Sequence, residues 1–389
     1  MKQLLLTSVS SNRQAALGFN YFQKIGPKRL KLLWASFPNW LGAWQANQAE
    51  LVGAGLSTKL AEEFIAWRAS FSIARATQTL ERENINYCLL EDTLYPEQLK
   101  AIPDAPPLLY YIGDLGWLGH QQGRDCLAIV GSRRHSAYAT KIITKLGPEL
   151  RQAKIKIISG LASGVDSLAH QAALDNQGRT AAVLGSGLAH QRIYPAQNKS
   201  LAAQIVNAGG VLISELPPDT PPLKQNFPRR NRLISGLSQA TLVVEAYHQS
   251  GALLTAKHAK QQHRLILAIP GSIFSEFSSG PNTLIRQGAL AITSPLDVLE
   301  VFKIETNSSD DCAIFSGWLD NRQIVCHNNP TEKIVYELIK QASEQNETIS
   351  ADQIIQSSQL DTATINSTLS ILELAGRIRL LGSGYELNN

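Results

Sequence analysis

Six short apolar runs rich in β-branched residues recur through the middle of the chain, with helical stretches between them. They are CLAIVG from position 126, KIKIISG from 154, TAAVLGSG from 180, GVLISE from 210, TLVVEA from 241 and RLILAIPG from 264. Runs that are apolar on both faces belong to strands covered on both sides. The intervening YATKIITKLGPELRQ, VDSLAHQAALDNQ and NKSLAAQIVNAG carry helical spacing, so crossovers would join the strands in parallel. The expected fold class is α/β, a Rossmann-like, doubly wound, mostly parallel sheet over roughly 124–300.

The flanks differ. Residues 11–80 show apolar positions at three-and-four spacing, with Gly turns before helix starts in IGPKRL (25–30) and VGAGLSTKL (52–60). This pair predicts a small all-α, SAM-like, helix-hairpin-helix domain over 1–85. Amides at such turns can meet a phosphate beside Lys24, Lys28 and Arg29, although a packing domain with a solvated basic face accounts for the same residues. The Pro-rich 92–125 reads as an extended connector laid over the sheet, so 86–302 is expected to be connector plus Rossmann-like domain. A polar linker is expected over 303–328 and a winged-helix domain over 329–389, with Thr331, Ser350 and Asp361 as helix N-caps and a hairpin around the final Gly-Ser-Gly. The helix DTATINSTLSILELAG has Asp361 and Glu373 and no cation before Arg377, which predicts poor phosphate binding and a protein-contact or dimer-modulating role.

Composition narrows the function. The 389 residues suffice for two or three domains, and 44% hydrophobic residues supply a substantial core. A net charge of +4 permits an anionic partner without demanding one. Cys88, Cys126, Cys312 and Cys326 form no CxxC, which argues against a metal site and a disulfide framework. The opening MKQLLLTSVSSNRQ lacks a secretory apolar core and no run of roughly 18 apolar residues occurs, so a cytoplasmic chain with no membrane partner is expected.

Ligands of open parallel sheets bind beyond the carboxyl ends of the strands. The loops there are GSRRHS (131–136), SGLASGVD (159–166), GSGLAHQRIYPAQN (185–198), SELPP with the basic run (214–232), and EAYHQSGALLTAKHA (245–259). Their Gly and Ser content suits close approach to anions. GxGxxG is absent after the first strand, the second strand ends in Ser159-Gly160 rather than an acid, and no GxxxxGK[ST] occurs. NAD binding and P-loop hydrolysis are therefore not expected, and no cofactor is implied. PGSIFSE stands where a nucleotide phosphoribohydrolase would carry PGGxGT.

The most charged stretch is KQNFPRRNRLISGLS from 224, with Lys224, Arg229, Arg230 and Arg232 inside nine residues that contain no acid. It reads as a loop after a parallel strand, its charge facing phosphates and LISGL packing beneath. Arg232 and Lys224 are the cations expected on the ligand.

Taken in order, AIVGSRRHSAYA, SGLASGVDSLAHQAAL, AVLGSGLAHQRIYPAQNKSLA, ISELPP, FPRRNRLISGLS, LVVEA, SGALLTAKHA and AIPGS with SSGPNTLIRQGA closely resemble the core of the DNA-processing protein A family (DprA, also called Smf), over about 180 residues. Many members carry both flanking modules. The resemblance implies a homodimeric protein that binds and protects single-stranded DNA and loads RecA onto it during natural transformation, where single-strand-binding protein is a further partner, without known catalysis. One departure is Ala189-His190 after GSGL, where an acid commonly follows.

The resemblance also implies roles. Gly131, Ser132 and Arg133 would hold a backbone phosphate, and Ser159, Gly160, Ser163 and Gly164 would form an amide nest. Asn198 and Lys199 would reach a second phosphate. Lys224, Arg230 and Arg232 would add charge, Phe227 would stack a base, and Asn231 would bond a base edge or fix its loop. Asp166 and His170, four apart on a helix, suit capping and hydrogen bonding or acid–base chemistry. Glu215 and Glu245 would orient arginines through buried ion pairs or meet the ligand directly. Ser250, Gly251 and Thr255 suit a helix start, with an anion or close packing there. Two other readings stand beside this one: an enzyme hydrolysing a nucleotide's glycosidic bond, and a duplex binder acting through the N-terminal hairpins.

Overall fold

The structure is a computed structural model that describes residues 2–118, 125–306, 330–344, 348–358, 360–374, 377–381 and 384–387. The chain divides into two compact units, 1–305 and 306–389.

The first unit begins with six helices: α1 (Lys2–Tyr21), α2 (Pro27–Ser36), α3 (Trp40–Gln45), α4 (Gln48–Gly53), α5 (Thr58–Ser70) and α6 (Ile73–Arg82). Both Gly turns deliver the expected helix starts. Pro27 opens α2 where its missing N–H costs nothing, and Ser57 caps α5 by accepting from the Leu60 amide. Phe19 stacks on Phe64 at 4.8 Å, with Trp40 and Trp44 around Phe19. This apolar cluster continues into the sheet through Leu108, Tyr110, Leu184 and Leu212.

The sheet has nine strands. They are β1 (Asn86–Leu89), β2 (Leu108–Gly113), β3 (Cys126–Val130), β4 (Lys156–Ser159), β5 (Thr180–Val183), β6 (Val211–Ser214), β7 (Ala240–Val243), β8 (Leu265–Ala268) and β9 (Leu290–Ala291), in the order β1-β2-β6-β5-β4-β3-β7-β8-β9. All six apolar runs are strands of one parallel array. The expected irregular connector is different in its details: it carries the helix α7 (Glu97–Lys100) and strand β2, and β2 pairs antiparallel with both β1 and β6. Pro106 and Pro107 mask the following LLYYIG, whose backbone is free to join a sheet edge.

Period-two alternation sorts the buried residues. Leu127 and Ile129 of β3 face α8 (Ala137–Gln152) and α9 (Val165–Asp175), while Ala128 and Val130 face α11 (Asn226–Gly236) and α12 (Gly251–Gln261). The helix between these, α10 (Lys199–Asn207), follows β5, and α13 (Ser279–Arg286) and α14 (Pro295–Thr306) follow β8 and β9. From β3 the chain winds outward through β4, β5 and β6, then returns to place β7 and β8 on the opposite side of β3. The reversal lies between β3 and β7, where open α/β sheets bind ligands.

α11 corrects a second expectation. Within KQNFPRRNRLISGLS, Asn226–Gly236 is a helix, buried from Arg230 onward, rather than a loop over a packed base, while Lys224 precedes it and is exposed. Pro228 sits in its first turn, where no intrahelical donor is lost.

The second unit contains α15 (Pro330–Glu344), α16 (Ala351–Ser358), α17 (Thr362–Leu374) and the hairpin β10 (Ile378–Leu381) with β11 (Gly384–Leu387). Val335, Ile339, Ile354, Ile365, Leu369 and Ile378 form its core, which is the expected winged-helix arrangement. Ser350 and Asp361 cap as expected, accepting from the Gln353 and Thr364 amides, whereas Thr331 falls inside the first turn of α15. Most of the expected linker, 307–328, lies outside the described residues.

Candidate nucleic-acid interface

The loop after β3 is set by the loop after β7. The Ser132 amide donates to the Glu245 carbonyl at 2.7 Å, and the buried Glu245 carboxylate accepts from the amide (2.9 Å) and hydroxyl of Ser136. Glu245 thus grips the loop and not an arginine. Gly131 packs on Val165. Gly164 has φ +84, and a Cβ there would stand 2.3 Å from the Ser132 carbonyl oxygen, so only glycine lets these two loops abut. The result leaves Arg133, Arg134 and His135 exposed on a fixed crest.

The loop after β4 turns most of its polar groups inward. Ser159 donates to the Ile129 carbonyl (2.6 Å), the Gly160 amide donates to Asp166 (3.1 Å), and Ser163 accepts from Gln197 (2.8 Å). Asn198 donates to the Leu161 carbonyl and to Ser167, both at 2.8 Å. The Ser159 hydroxyl, the Gly160 amide and the Asn198 side-chain amide, all expected on the ligand, are therefore engaged within the protein. Lys199, beside it, is half-buried.

Helical phase divides the arginines of α11. Arg229 and Arg232, three apart, both meet Glu215, at 3.3 and 2.5 Å, and Arg232 also meets Asp104 at 3.1 Å. Arg232 is only 4% exposed, so the expectation that it faces the ligand is corrected: it holds α11 against the loop after β6. Arg230 points the other way. Its guanidinium donates to the Gly160 carbonyl at 2.6 Å and to the Val183 carbonyl, tying the carboxyl ends of β4 and β5 together. Burial pulls Arg230 down to about 10, against the attraction of Asp166, and it stays charged at neutral pH. Burial likewise raises Asp166, with Arg230 and its hydrogen bonds opposing. Asn231 accepts from Arg230 and donates to the Gly251 carbonyl at 3.1 Å, fixing α11 to α12. Ser250 caps α12 and Thr255 is buried in its packing face.

His170 is fully buried. Thr180 donates its hydroxyl to the Ile157 carbonyl and so accepts from His170 Nδ1–H at 2.7 Å, while Nε2 has no partner among the described residues. Burial, with Arg230 adding repulsion, pulls the imidazole down to about 3. The unfolded chain takes up a proton near pH 6.5 that the folded chain refuses, so stability is full above that pH and declines below it by about 1 kcal/mol per pH unit until about pH 3. Urea unfolding midpoints at pH 7.5, 6 and 5 should fall more steeply for the parent than for His170→Asn. Parallel profiles would show that the imidazole is not held neutral.

Above this interior lies a small cleft of about 50 Å³, lined by Arg133, Gly160, Ala162, Ser163, Tyr194, Pro195 and Phe227. The Phe227 ring rests on Gly185, where a Cβ would intrude to 2.8 Å. The Tyr194 ring is 5.7 Å from it and 45% exposed, and the Arg133 guanidinium lies 5.6 Å over its centre. A cleft of this size admits a water or two and engulfs no nucleotide; anything larger could only lie across its mouth. Among the described residues, Arg133, Arg134, Lys199 and Lys224 pair with no acid, unlike Arg229 and Arg232 of α11. Tyr194 and Pro195 were not among the expected site residues, although an aromatic beside a proline in a Gly-rich loop at the ligand edge was a usable signal. Asp166 and His170 are spent on internal bonds and give no accessible acid–base pair. No group of three or more metal-ligating side chains occurs among the described residues, nor is any described helix long and apolar enough to cross a membrane.

Comparison with known proteins identifies the family. Residues 86–303 match the family model described as DNA recombination-mediator protein A, and residues 330–384 match the DprA winged helix domain. The Escherichia coli protein Smf is 37% identical over 88% of this chain and 89% of its own length. The Bacillus subtilis DNA processing protein DprA is 40% identical over 59% of this chain and 75% of its own. The crystal structure of DprA from Streptococcus pneumoniae superimposes with a TM-score of 0.62 at 31% identity, covering 75% of this chain and 96% of that one. The chain belongs to the DNA recombination-mediator protein A family, of which Smf and DprA are members.

Proposed function

We propose that this chain is a non-catalytic recombination mediator that binds single-stranded DNA across the cleft, protects it, and passes it to RecA in natural transformation. It acts in the cytoplasm as a homodimer, on strands also covered by single-strand-binding protein. The observation that carries the reading is the Arg133–Phe227–Tyr194 cluster: a guanidinium that meets no acid among the described residues, beside two aromatic rings on which bases can lie. Only an unpaired strand can turn its bases onto such rings, because a duplex keeps them stacked inside. Membership of a recombination-mediator family supports the same substrate.

Fluorescence anisotropy with an oligothymidine tests it. Phe227→Ala should weaken binding by about tenfold, one stacked base being worth roughly 1–3 kcal/mol, while leaving the salt dependence nearly unchanged. Equal affinity for blunt duplex and single strand would overturn the assignment. RecA assembly on strands precoated with single-strand-binding protein should quicken when the chain is added.

A further inference from the structure

The loop after β8 places two large apolar side chains in water on the same edge of the sheet. Ile273 is 85% and Phe274 92% exposed. They are the central residues of a tight turn in which the Ser275 amide donates to the Ser272 carbonyl at 3.0 Å. Such turns ordinarily carry Gly, Pro, Asn, Asp or Ser, so neither side chain is there for the sake of the turn.

The tip is held rigidly. Ser272 accepts from the Phe274 amide, and Asn282 brackets Gly271 by accepting from its amide (3.2 Å) and donating to its carbonyl (3.0 Å). The exposed Tyr138 donates to the Pro270 carbonyl at 2.9 Å, joining this loop to the start of α8. Between this tip and the cleft stands the crest of Arg133, Arg134 and His135, all exposed. In sheet order the loops therefore run from the aromatic cleft beyond β5, past the cationic crest beyond β3, to the apolar tip beyond β8.

We propose that Phe274, with Ile273 beside it, is a second stacking station for the same single strand, reached by way of Arg134. This rests on the single-strand reading of the cleft. Charge complementarity favours nucleic acid as the occupant, and so does continuity with the cleft. From β5 to β8 is four strand spacings, about 19 Å, which a stacked strand at about 3.4 Å per step covers in five or six steps, that is with about six or seven nucleotides. An oligomer of five thymidines is too short to occupy both stations fully; one of fifteen spans them.

The test compares the full chain with Phe274→Ala on both lengths. The gain in affinity from five to fifteen thymidines should shrink about tenfold in the variant. A 2-aminopurine placed about six nucleotides from the cleft should lose its stacking quench. Substitution at so exposed a position leaves the core intact, and unchanged urea unfolding verifies this. An unchanged length gain overturns the proposal. So does a fall in molecular mass on substitution, because the turn would then be covered by a second copy of the chain. If the parent binds neither oligomer, the cleft reading fails first, and that outcome is distinct from a parent and variant that bind alike.

Discussion

Arg230→Ala should destabilise the first unit by about 3–5 kcal/mol, the usual consequence of removing one partner from a buried charge pair. Three losses add at one place. The carbonyls of Gly160 and Val183 lose their donor, Asn231 loses its neighbour, and Asp166 keeps its burial while losing the cation that offsets it. Against a total stability of about 5–15 kcal/mol this is a large share, and the apparent Tm should drop on the order of 10 °C. Arg230→Met keeps most of the volume and should recover only part of the loss. Asp166→Asn in the Arg230→Met background should be milder than the sum of the two single changes, because the isolated carboxylate causes much of the harm. Parent-like stability of Arg230→Ala would show that the two strand ends do not need the bridge.

The second large effect is on binding. Arg133 and Lys224 are exposed and pair with no acid among the described residues, so each is free to neutralise a phosphate. Removing both should lower the log–log salt slope for single-stranded DNA by about 1.4, at 0.7 for each phosphate. If the two chains converge near 1 M salt, that slope difference gives on the order of 50-fold weaker binding at 50 mM. Arg232→Ala supplies the contrast. Its guanidinium is engaged by Glu215 and Asp104, so the slope should stay where it was while the unfolding midpoint falls. A slope that responds to Arg232 and ignores Arg133 would reverse the roles given to these two arginines.

That division explains where the sequence could be read and where it could not. The parallel strands were legible because a strand covered on both faces is apolar at every position, a local signal that needs no partner to be seen. The helix in the basic stretch is hidden because four cations without an acid, placed after a parallel strand, suit a loop that faces phosphates. Two features pointed to a helix: the apolar Leu233, Ile234 and Leu237, and a gap between β6 and β7 too long for a structureless connection. With the helix recognised, phase alone sends Arg229 and Arg232 to one side and Phe227, Arg230 and Asn231 to the other. Which carboxylate each arginine meets was not legible, because Glu215 and Asp104 come from distant positions and only the folded sheet brings them to α11. The loop hydroxyls and amides were read as reaching outward for the same reason. Their partners, such as the Ile129 carbonyl for Ser159 and Leu161 for Asn198, lie on neighbouring strands and loops.

The grip of Glu245 on Ser136 joins residues 109 positions apart. Contacts that far apart close late, after the loop entropy between them has been lost. During synthesis, a nascent chain that has emerged only through β6 already carries Arg133, Tyr194 and the first four strands of the parallel array. It lacks the clasp that sets the crest and the helix that supplies Phe227. The crest and the cleft are thus completed only once α11 and the loop after β7 have left the ribosome, and a chain that stops short of them lacks both the clasp and the Phe227 ring.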